Sequence, residues 1–178
     1  MSEIYQPEED SYLLQSILKI QILKLLKKNP ELKFLEIGIG SGIQLQIAKE
    51  LDVKNIFGVD INEEAVKFCK NLGFNCEKSN LFENINEKYD LIIFNPPYLP
   101  ENKDEPKNSK IATTGGEKGS EIINEFLKQS KKYLEKNGKI FLLTSSLTKE
   151  INWQSYRKKL IAKKKLFFEK LYVWELNR

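Results

Sequence analysis

Lys33-Phe34-Leu35-Glu36-Ile37-Gly38-Ile39-Gly40-Ser41-Gly42-Ile43-Gln44-Leu45-Gln46-Ile47-Ala48 is the stretch whose reading decides the fold. An apolar run meets three alternating glycines, and Ile43, Leu45, Ile47, Ala48 and Leu51 then outline a helix. Strand, glycine turn and helix open a Rossmann-like βαβ unit. Gly38, Gly40 and Gly42 allow a sharp turn and a close approach of backbone to ligand. A dinucleotide fingerprint needs its third glycine three residues after the second, where this chain has Ile43, and the Gly-Lys-Ser/Thr of a phosphate-binding loop is missing too. Glu36 stands just before the glycines, where a pyrophosphate is repelled and a cationic ammonium or sulfonium is attracted.

Downstream, Asn55-Ile56-Phe57-Gly58-Val59 reads as a second strand ending at Asp60, twenty residues past Gly40. From that position a carboxylate takes ribose hydroxyls in this fold, although Asp60 also suits the cap of a following helix. Glu36 and Asp60 together select S-adenosyl-L-methionine over NAD as the cofactor. A helix is expected from Asn62 to Asn71, with Asn62 as cap and Glu63 and Glu64 in its positive first turn. Phe74-Asn75-Cys76-Glu77 reads as a short third strand. Asn80-Leu81 follows it, placed to meet the adenine, with the Asn80 oxygen able to accept from an exocyclic amine.

The fourth strand, Tyr89-Asp90-Leu91-Ile92-Ile93-Phe94, is a near-continuous apolar run of the parallel, doubly covered kind. It ends in Asn95-Pro96-Pro97-Tyr98. The two prolines fix their own φ and push the preceding residues away from the α region, so the backbone is stiff beyond the carboxyl end of the strand. Such a turn offers the Asn95 amide oxygen, the Pro96 carbonyl and the Tyr98 ring. Two acceptors beside a flat wall suit a planar NH2 group; the bland alternative is a proline-terminated strand with Asn95 capping the turn.

Upstream of the glycines, a helix is expected over Tyr12 to Lys28, striped by Leu14, Leu18, Ile22 and Leu25. Leu13, Ile17, Ile20, Leu23 and Leu26 widen the stripe, and Asn29-Pro30 stops it. Beyond the fourth strand, residues 99–118 carry almost no periodicity, which in a compact chain marks a functional or mobile loop. A helix over Ser120 to Glu135, closed by Asn137-Gly138, then leads to a fifth strand, Lys139 to Leu143. A helix around Trp153, Tyr156 and Leu160 is expected next. The alternating Leu171-Tyr172-Val173-Trp174-Glu175-Leu176 is expected to pair antiparallel. The pattern is one αβα layered domain over 1–178, with a segment and helix over 1–30 ahead of a core over 31–178.

The chain has 178 residues, 40% hydrophobic and 30% charged, an ordinary water-soluble composition. Without an apolar stretch of transmembrane length or a leader-like start, the expected location is cytoplasmic. Cys69 and Cys76 match no zinc spacing, so no metal site is expected. The chain contains no histidine, which removes His-based triads, His general bases and the usual zinc centres. Chemistry must rest on carboxylates, amides, tyrosine, lysine or positioning. Residues 151–178 hold eight Lys/Arg against Glu169 and Glu175, a local +6 within a net +4. That excess suits a polyanionic partner, or equally a solvated helix and edge strand.

Read together, Tyr5-x-Pro7-x-Glu9-Asp10-Ser11, Leu35-Glu36-Ile37-Gly38-x-Gly40-x-Gly42, Asp60-Ile61-Asn62, Asn80-Leu81, Asn95-Pro96-Pro97-Tyr98 and Gly115-Gly116-x-x-Gly119 resemble the HemK family of protein glutamine methyltransferases. The likeness is to its short archaeal and eukaryotic branch. It implies an α/β, Rossmann-like class I S-adenosylmethionine-dependent methyltransferase fold: a three-layer αβα sandwich, mostly parallel, with an antiparallel last strand. It further implies methylation of the glutamine side-chain nitrogen in the Gly-Gly-Gln tip of a class I translation termination factor. A small zinc-binding activator subunit is implied as partner, docking by strand addition on the edge strand near Phe74–Glu77.

On the same resemblance, Ser11, Glu36, Gly38, Gly40, Asp60, Asn80, Leu81 and Asn95 match cofactor-contacting positions. Asn95, Pro96, Pro97 and Tyr98 match the substrate clamp, with Asn95, Pro96 and Tyr98 carrying catalysis. Asn80 stands where the family has aspartate, and Thr114 precedes the double glycine in place of the usual residue. Alternatives are an adenine-N6 nucleic-acid methyltransferase, a protein lysine methyltransferase, or a non-catalytic cofactor-binding module. Reading and flipping a base needs a recognition region for which the chain has little room, so direct nucleic-acid binding is not expected.

Overall fold

A computed structural model describes residues 4–101 and 113–178. The chain runs α1 (Glu9–Leu26), β1 (Lys33–Ile37), α2 (Ile43–Glu50), β2 (Asn55–Asp60), α3 (Glu63–Asn71), β3 (Cys76–Lys78) and β4 (Tyr89–Phe94). There follow α4 (Glu121–Ser130), a 3-10 turn (Lys131–Tyr133), β5 (Leu134–Ser145), β6 (Arg157–Lys165) and β7 (Lys170–Asn177). The seven strands form one sheet in the order β3-β2-β1-β4-β5-β7-β6. β1 to β5 pair in parallel, and β7 runs antiparallel between β5 and β6.

Alternation along the central strands separates two cores. Phe34, Leu91, Ile93, Phe141 and Leu143 face the side covered by Leu14, Leu18 and Ile22 of α1 and Leu45 and Ala48 of α2. Leu35, Ile92, Phe94, Ile140 and Leu142 face Ile123, Phe126 and Leu127 of α4, with Phe82 beside them. This is the three-layer αβα arrangement expected from the parallel pattern. Because β1 and β4 are adjacent and parallel, their carboxyl ends bring the glycine turn and Asn95 side by side. The crevice outside those ends is where ligands of open α/β sheets bind.

The strands and helices from Lys33 to Phe94 fall close to their expected places. α1 starts at Glu9 rather than Tyr12, and β3 is shorter than Phe74–Glu77, though Phe74 and Cys76 are buried as a strand end would be. Two expectations fail beyond α4. The helix over Ser120 to Glu135 ends at Ser130, and Leu134 already pairs with Tyr89. Asn137-Gly138 is no helix stop: the register jumps from Tyr89↔Leu134 to Leu91↔Lys139, and a Cβ on Gly138 would lie 2.8 Å from Leu134 and 3.0 Å from the Tyr89 carbonyl. A bulge needs that glycine.

The helix around Trp153, Tyr156 and Leu160 does not form. Its three apolar residues have helical spacing but separate partners. The Trp153 ring lies 5.0 Å from Trp174, the Tyr156 hydroxyl is 2.8 Å from Ser130 Oγ, and Leu160 pairs with Trp174 from within β6. β6 carries much of the basic excess as an edge strand, where lysines discourage further pairing.

Candidate active site

A cavity of about 430 Å³ lies beyond the carboxyl ends of β1, β2 and β4, a volume in the usual range for small-ligand sites. Ser11, Glu36, Gly38, Gly40, Asp60, Asn80, Leu81, Asn95, Pro96 and Pro97 all line it. Tyr98, expected to wall it, packs behind the lining between the two cores. Asp10, Glu36, Asp60, Glu121 and Glu125 contribute carboxylates to the lining, and no lysine or arginine does so among the described residues. A chain of net charge +4 has thus built an acidic cavity, suited to a cationic ligand.

One end is made by the glycine turn. Gly38, Gly40 and Gly42 all take positive φ (70°, 48° and 77°), and the Gly40 N–H donates to Asp60 Oδ2 at 2.9 Å. Asp60 Oδ1 accepts from the Asn62 N–H at 2.8 Å, and Asn62 in turn caps α3. Burial nevertheless leaves the Asp60 carboxyl above its ordinary pKa, with the Gly40 and Asn62 N–H groups pulling the other way. Glu36 is 3% exposed, and its pKa stands well above the carboxylate range, first through burial and then through the charge of Asp60. Asn80 donates to Glu83 at 3.0 Å, which leaves its oxygen for a ligand, and Leu81 beside it is held at φ 50°. A left-handed leucine is uncommon backbone, and such positions gather at binding sites.

The other end is organised by Asp10, at the first turn of α1 and 5% exposed. Its carboxylate accepts from the Tyr5 hydroxyl (2.9 and 3.0 Å), the Ser11 N–H (2.5 Å), the Tyr98 hydroxyl (3.3 Å) and Asn95 Nδ2 (3.1 Å). A carboxylate only accepts, so the bond settles which way the Asn95 amide points: its NH2 faces Asp10 and its oxygen faces away. Burial and then the charge of Asp10 push the Tyr5 and Tyr98 hydroxyls far above their ordinary pKa. Both are fixed donors, not acids or bases at neutral pH.

Among the described residues, three buried side-chain oxygens have no hydrogen-bond partner: Glu36 Oε2, Gln44 Oε1 and Asn95 Oδ1. All three residues line this one cavity. An unpaired buried acceptor costs about 1–3 kcal/mol, so three around one space mark where a donor-bearing or cationic ligand is to be met. S-adenosyl-L-methionine, with ammonium, sulfonium, ribose hydroxyls and adenine amine, fits that donor set.

The tetrapeptide is held from outside by the double-glycine loop. Gly115 N–H donates to the Leu99 carbonyl at 2.9 Å, and a Cβ on Gly115 would collide with the Gly119 carbonyl and with that of Pro97, 2.5 Å away. A Cβ on Gly119 would collide with the Tyr98 carbonyl. The glycines are therefore required by close packing on the turn's backbone. Residues 102–112, the middle of the long loop, lie outside the described residues.

Sequence reasoning assigned no role to Asp10, Tyr5 or Gln44. Asp10 and Tyr5 belong to the quoted N-terminal signature, and Gln44 was visible as a polar residue on the inward face of α2, where Leu45, Ile47 and Ala48 are buried with it. Its amide donates to the Ser11 carbonyl at 2.9 Å, tying α2 to the start of α1.

Fold and site together define a class I, S-adenosylmethionine-dependent methyltransferase. Residues 20–152 match the family described as methyltransferase small domain. A Methanocaldococcus jannaschii protein carrying the provisional name protein N5-glutamine methyltransferase is 38% identical, with 98% of this chain and 93% of that protein aligned. The release factor glutamine methyltransferase of Fusobacterium nucleatum is 36% identical over 68% of this chain; the chain spans only 39% of that enzyme. The human methyltransferase HEMK2 is 29% identical over 80% of this chain and 72% of its own length. The chain belongs to the HemK family of protein glutamine N5-methyltransferases. Among solved structures, the ribosomal protein L11 methylase of Lactobacillus delbrueckii shares the fold at TM-score 0.61 and 16% identity, over 99% of this chain and 92% of that one.

Proposed function

We propose that this enzyme methylates the side-chain amide nitrogen of the glutamine in the Gly-Gly-Gln motif of a class I translation termination factor. The observation that carries this reading is the buried, unpartnered Asn95 Oδ1, aimed by Asp10 and placed at a proline-stiffened turn on the cavity. It is an acceptor held ready for a substrate NH2.

The assignment of roles follows the two ends. Glu36, Gly38, Gly40, Asp60, Asn80, Leu81 and Ser11 hold the cofactor, and Asn95 borders both ligands. When bound, S-adenosyl-L-methionine supplies an electrophilic methyl carbon on a sulfonium. Asn95 Oδ1 and the Pro96 carbonyl accept the two N–H bonds of the substrate amide, and Pro97 keeps that carbonyl free of a neighbouring donor. Tyr98 fixes the turn through Asp10. An amide nitrogen is a poor nucleophile, so positioning must supply most of the acceleration, up to about 7–11 kcal/mol in the best intramolecular cases. The same two acceptors stabilise positive charge building on nitrogen. The nitrogen gains its bond to carbon as the carbon–sulfur bond breaks, and releases one proton to solvent afterwards. No histidine or other general base is required.

We also propose the zinc-binding activator subunit as partner. β3 is an edge strand of three residues, and the Asn75 carbonyl already serves Gly58 on its inner side. With Asn75 and Ser79 turned toward β2, the N–H of Lys78 lies on the outer side, and Lys78→Pro should disrupt docking with little effect on the Asn95 end. Co-purification of that variant with the subunit at full yield would place docking elsewhere.

Incubation with labelled cofactor and a termination factor, read by mass spectrometry, tests the main reading. One methyl group should appear on the glutamine of the tip and none on a Gln→Ala factor. Methylation of lysine, or of adenine in nucleic acid, with the factor untouched would overturn it.

A further inference from the structure

The turn between β6 and β7 breaks the usual chemistry of hairpin tips. Glycine, asparagine and aspartate normally occupy such tips, yet here Phe167 and Phe168 stand 96% and 82% exposed. Their rings meet edge to face, centroids 6.0 Å apart. The hairpin closes through the Leu166 N–H to the Glu169 carbonyl at 2.9 Å, a bond that makes no use of either ring. Single exposed apolar residues are ordinary, but two adjacent phenylalanines at a tip form a patch that folding does not explain.

The tip stands at the active-site edge. β7 begins there, and its Leu171 pairs with Ser145 at the carboxyl end of β5, the edge at which β1 and β4 deliver the glycine turn and Asn95. A chain of hydrogen bonds joins it to the tetrapeptide. Ser145 Oγ donates to Glu169 Oε2 at 2.6 Å, Ser145 N–H donates to Thr148 Oγ1 at 3.3 Å, and Thr148 Oγ1 donates to the Tyr98 carbonyl at 2.9 Å. Lys164 pairs with Glu9, next to Asp10. Exposed Lys163, Lys165 and Lys170 flank the phenylalanines.

We infer that the β6–β7 tip is a docking element for the folded protein whose side chain enters the cavity. Phe167 and Phe168 insert into an apolar socket on that protein, and the flanking lysines meet Asp or Glu around the socket. Aromatic residues, Phe included, are enriched in the buried core of protein interfaces, the rim is polar, and complementary charge across it favours encounter and register. The hydrogen-bonded link between tip and tetrapeptide lets docking set the distance from the partner's surface to Asn95. This inference rests on the proposed protein acceptor.

The test compares the intact termination factor with a short Gly-Gly-Gln peptide as substrates of wild type and of F167S/F168S. Both rings are exposed, so the variant should keep its thermal midpoint and its affinity for S-adenosyl-L-methionine. KM for the intact factor should rise roughly tenfold or more, with kcat at saturation and all peptide kinetics unchanged. K165E/K170E should raise the same KM, most at low salt. Wild-type transfer to the factor with unaltered KM in F167S/F168S would overturn the docking element alone. Failure of the wild type to methylate the factor at all would overturn the acceptor reading and the docked partner together. Loss of binding to RNA or to anionic vesicles in the variant, with factor kinetics unchanged, would also overturn the inference.

Discussion

The two ends of the cavity solve opposite problems. At the glycine turn, Glu36 and Asp60 are buried carboxylates whose own charge is penalised by burial. At the tetrapeptide the presented group is a neutral amide, and the carboxylate behind it, Asp10, is saturated with donors. The first end is destabilised until a cation or donor arrives, so it is built for affinity. The second is already satisfied except for one oxygen, so it is built for orientation. Substitutions at the two ends should therefore separate binding from chemistry.

The largest separation is expected from Asn95→Ala. Deleting one of two acceptors that act on developing charge should lower kcat by about 10²–10³, while calorimetry shows little change in cofactor affinity. If the cofactor is lost as well, the division between the ends fails.

Asp60→Ala should do the reverse. Removing a charged acceptor costs about 1.5–3 kcal/mol, roughly ten- to a hundredfold in Kd for S-adenosyl-L-methionine, and saturating cofactor should restore most of kcat. A kcat defect that persists at saturation would tie Asp60 to the chemistry.

Asp10→Asn probes the orientation itself and should cost about tenfold in kcat, since the Asn95 amide is no longer forced to one flip. The informative experiment is the exchange. In D10N/N95D the amide introduced at position 10 can donate to the carboxylate introduced at position 95, so an acceptor again faces the cavity. The double variant should recover part of the kcat lost in each single one. If Asp10 only anchors α1, the two losses will add instead.

What could be read from the sequence follows the range of the interactions concerned. β1, β2 and β4 are apolar runs ending at glycines, Asp60 or prolines, so local pattern and punctuation located them and the line of cavity residues. The reading failed at β5–β7, where partners far along the chain decide. Trp153, Tyr156 and Leu160 keep helical spacing but are claimed by Trp174 and Ser130, and Gly138 ends no helix because it relieves a bulge against Tyr89. The role of Asp10 depends on Asn95, 85 positions away. No local signal carries that pairing, although a buried acid opening an apolar helix is a reason to look for it.

The smallest effect expected is on stability, and it comes from Glu36. Its folded pKa is raised by burial first, so the ligand-free fold retains a proton that the unfolded chain releases near about 4.3. Stability from this group is complete below that value and falls as pH rises toward the folded pKa, at up to about 1.36 kcal/mol per pH unit. Carboxyls lowered by partners, such as Glu63 beside Lys67, act in the opposite sense, but only as pH falls below the ordinary carboxylate range. With no histidine in the chain, the interval just above the ordinary carboxylate range is governed by Glu36 and Asp60, the side-chain carboxyls that burial holds protonated longest. Urea midpoints of the ligand-free enzyme should fall as pH rises through that interval, and Glu36→Gln should reduce the slope. Asp60 keeps the slope from vanishing. Binding should run the other way: a cationic ligand favours ionised Glu36, so affinity for S-adenosyl-L-methionine should rise with pH in the wild type and much less in Glu36→Gln. Equal stability slopes in the two proteins would mean that folding leaves the proton affinity of Glu36 unchanged, and equal binding slopes that the cofactor never meets its charge.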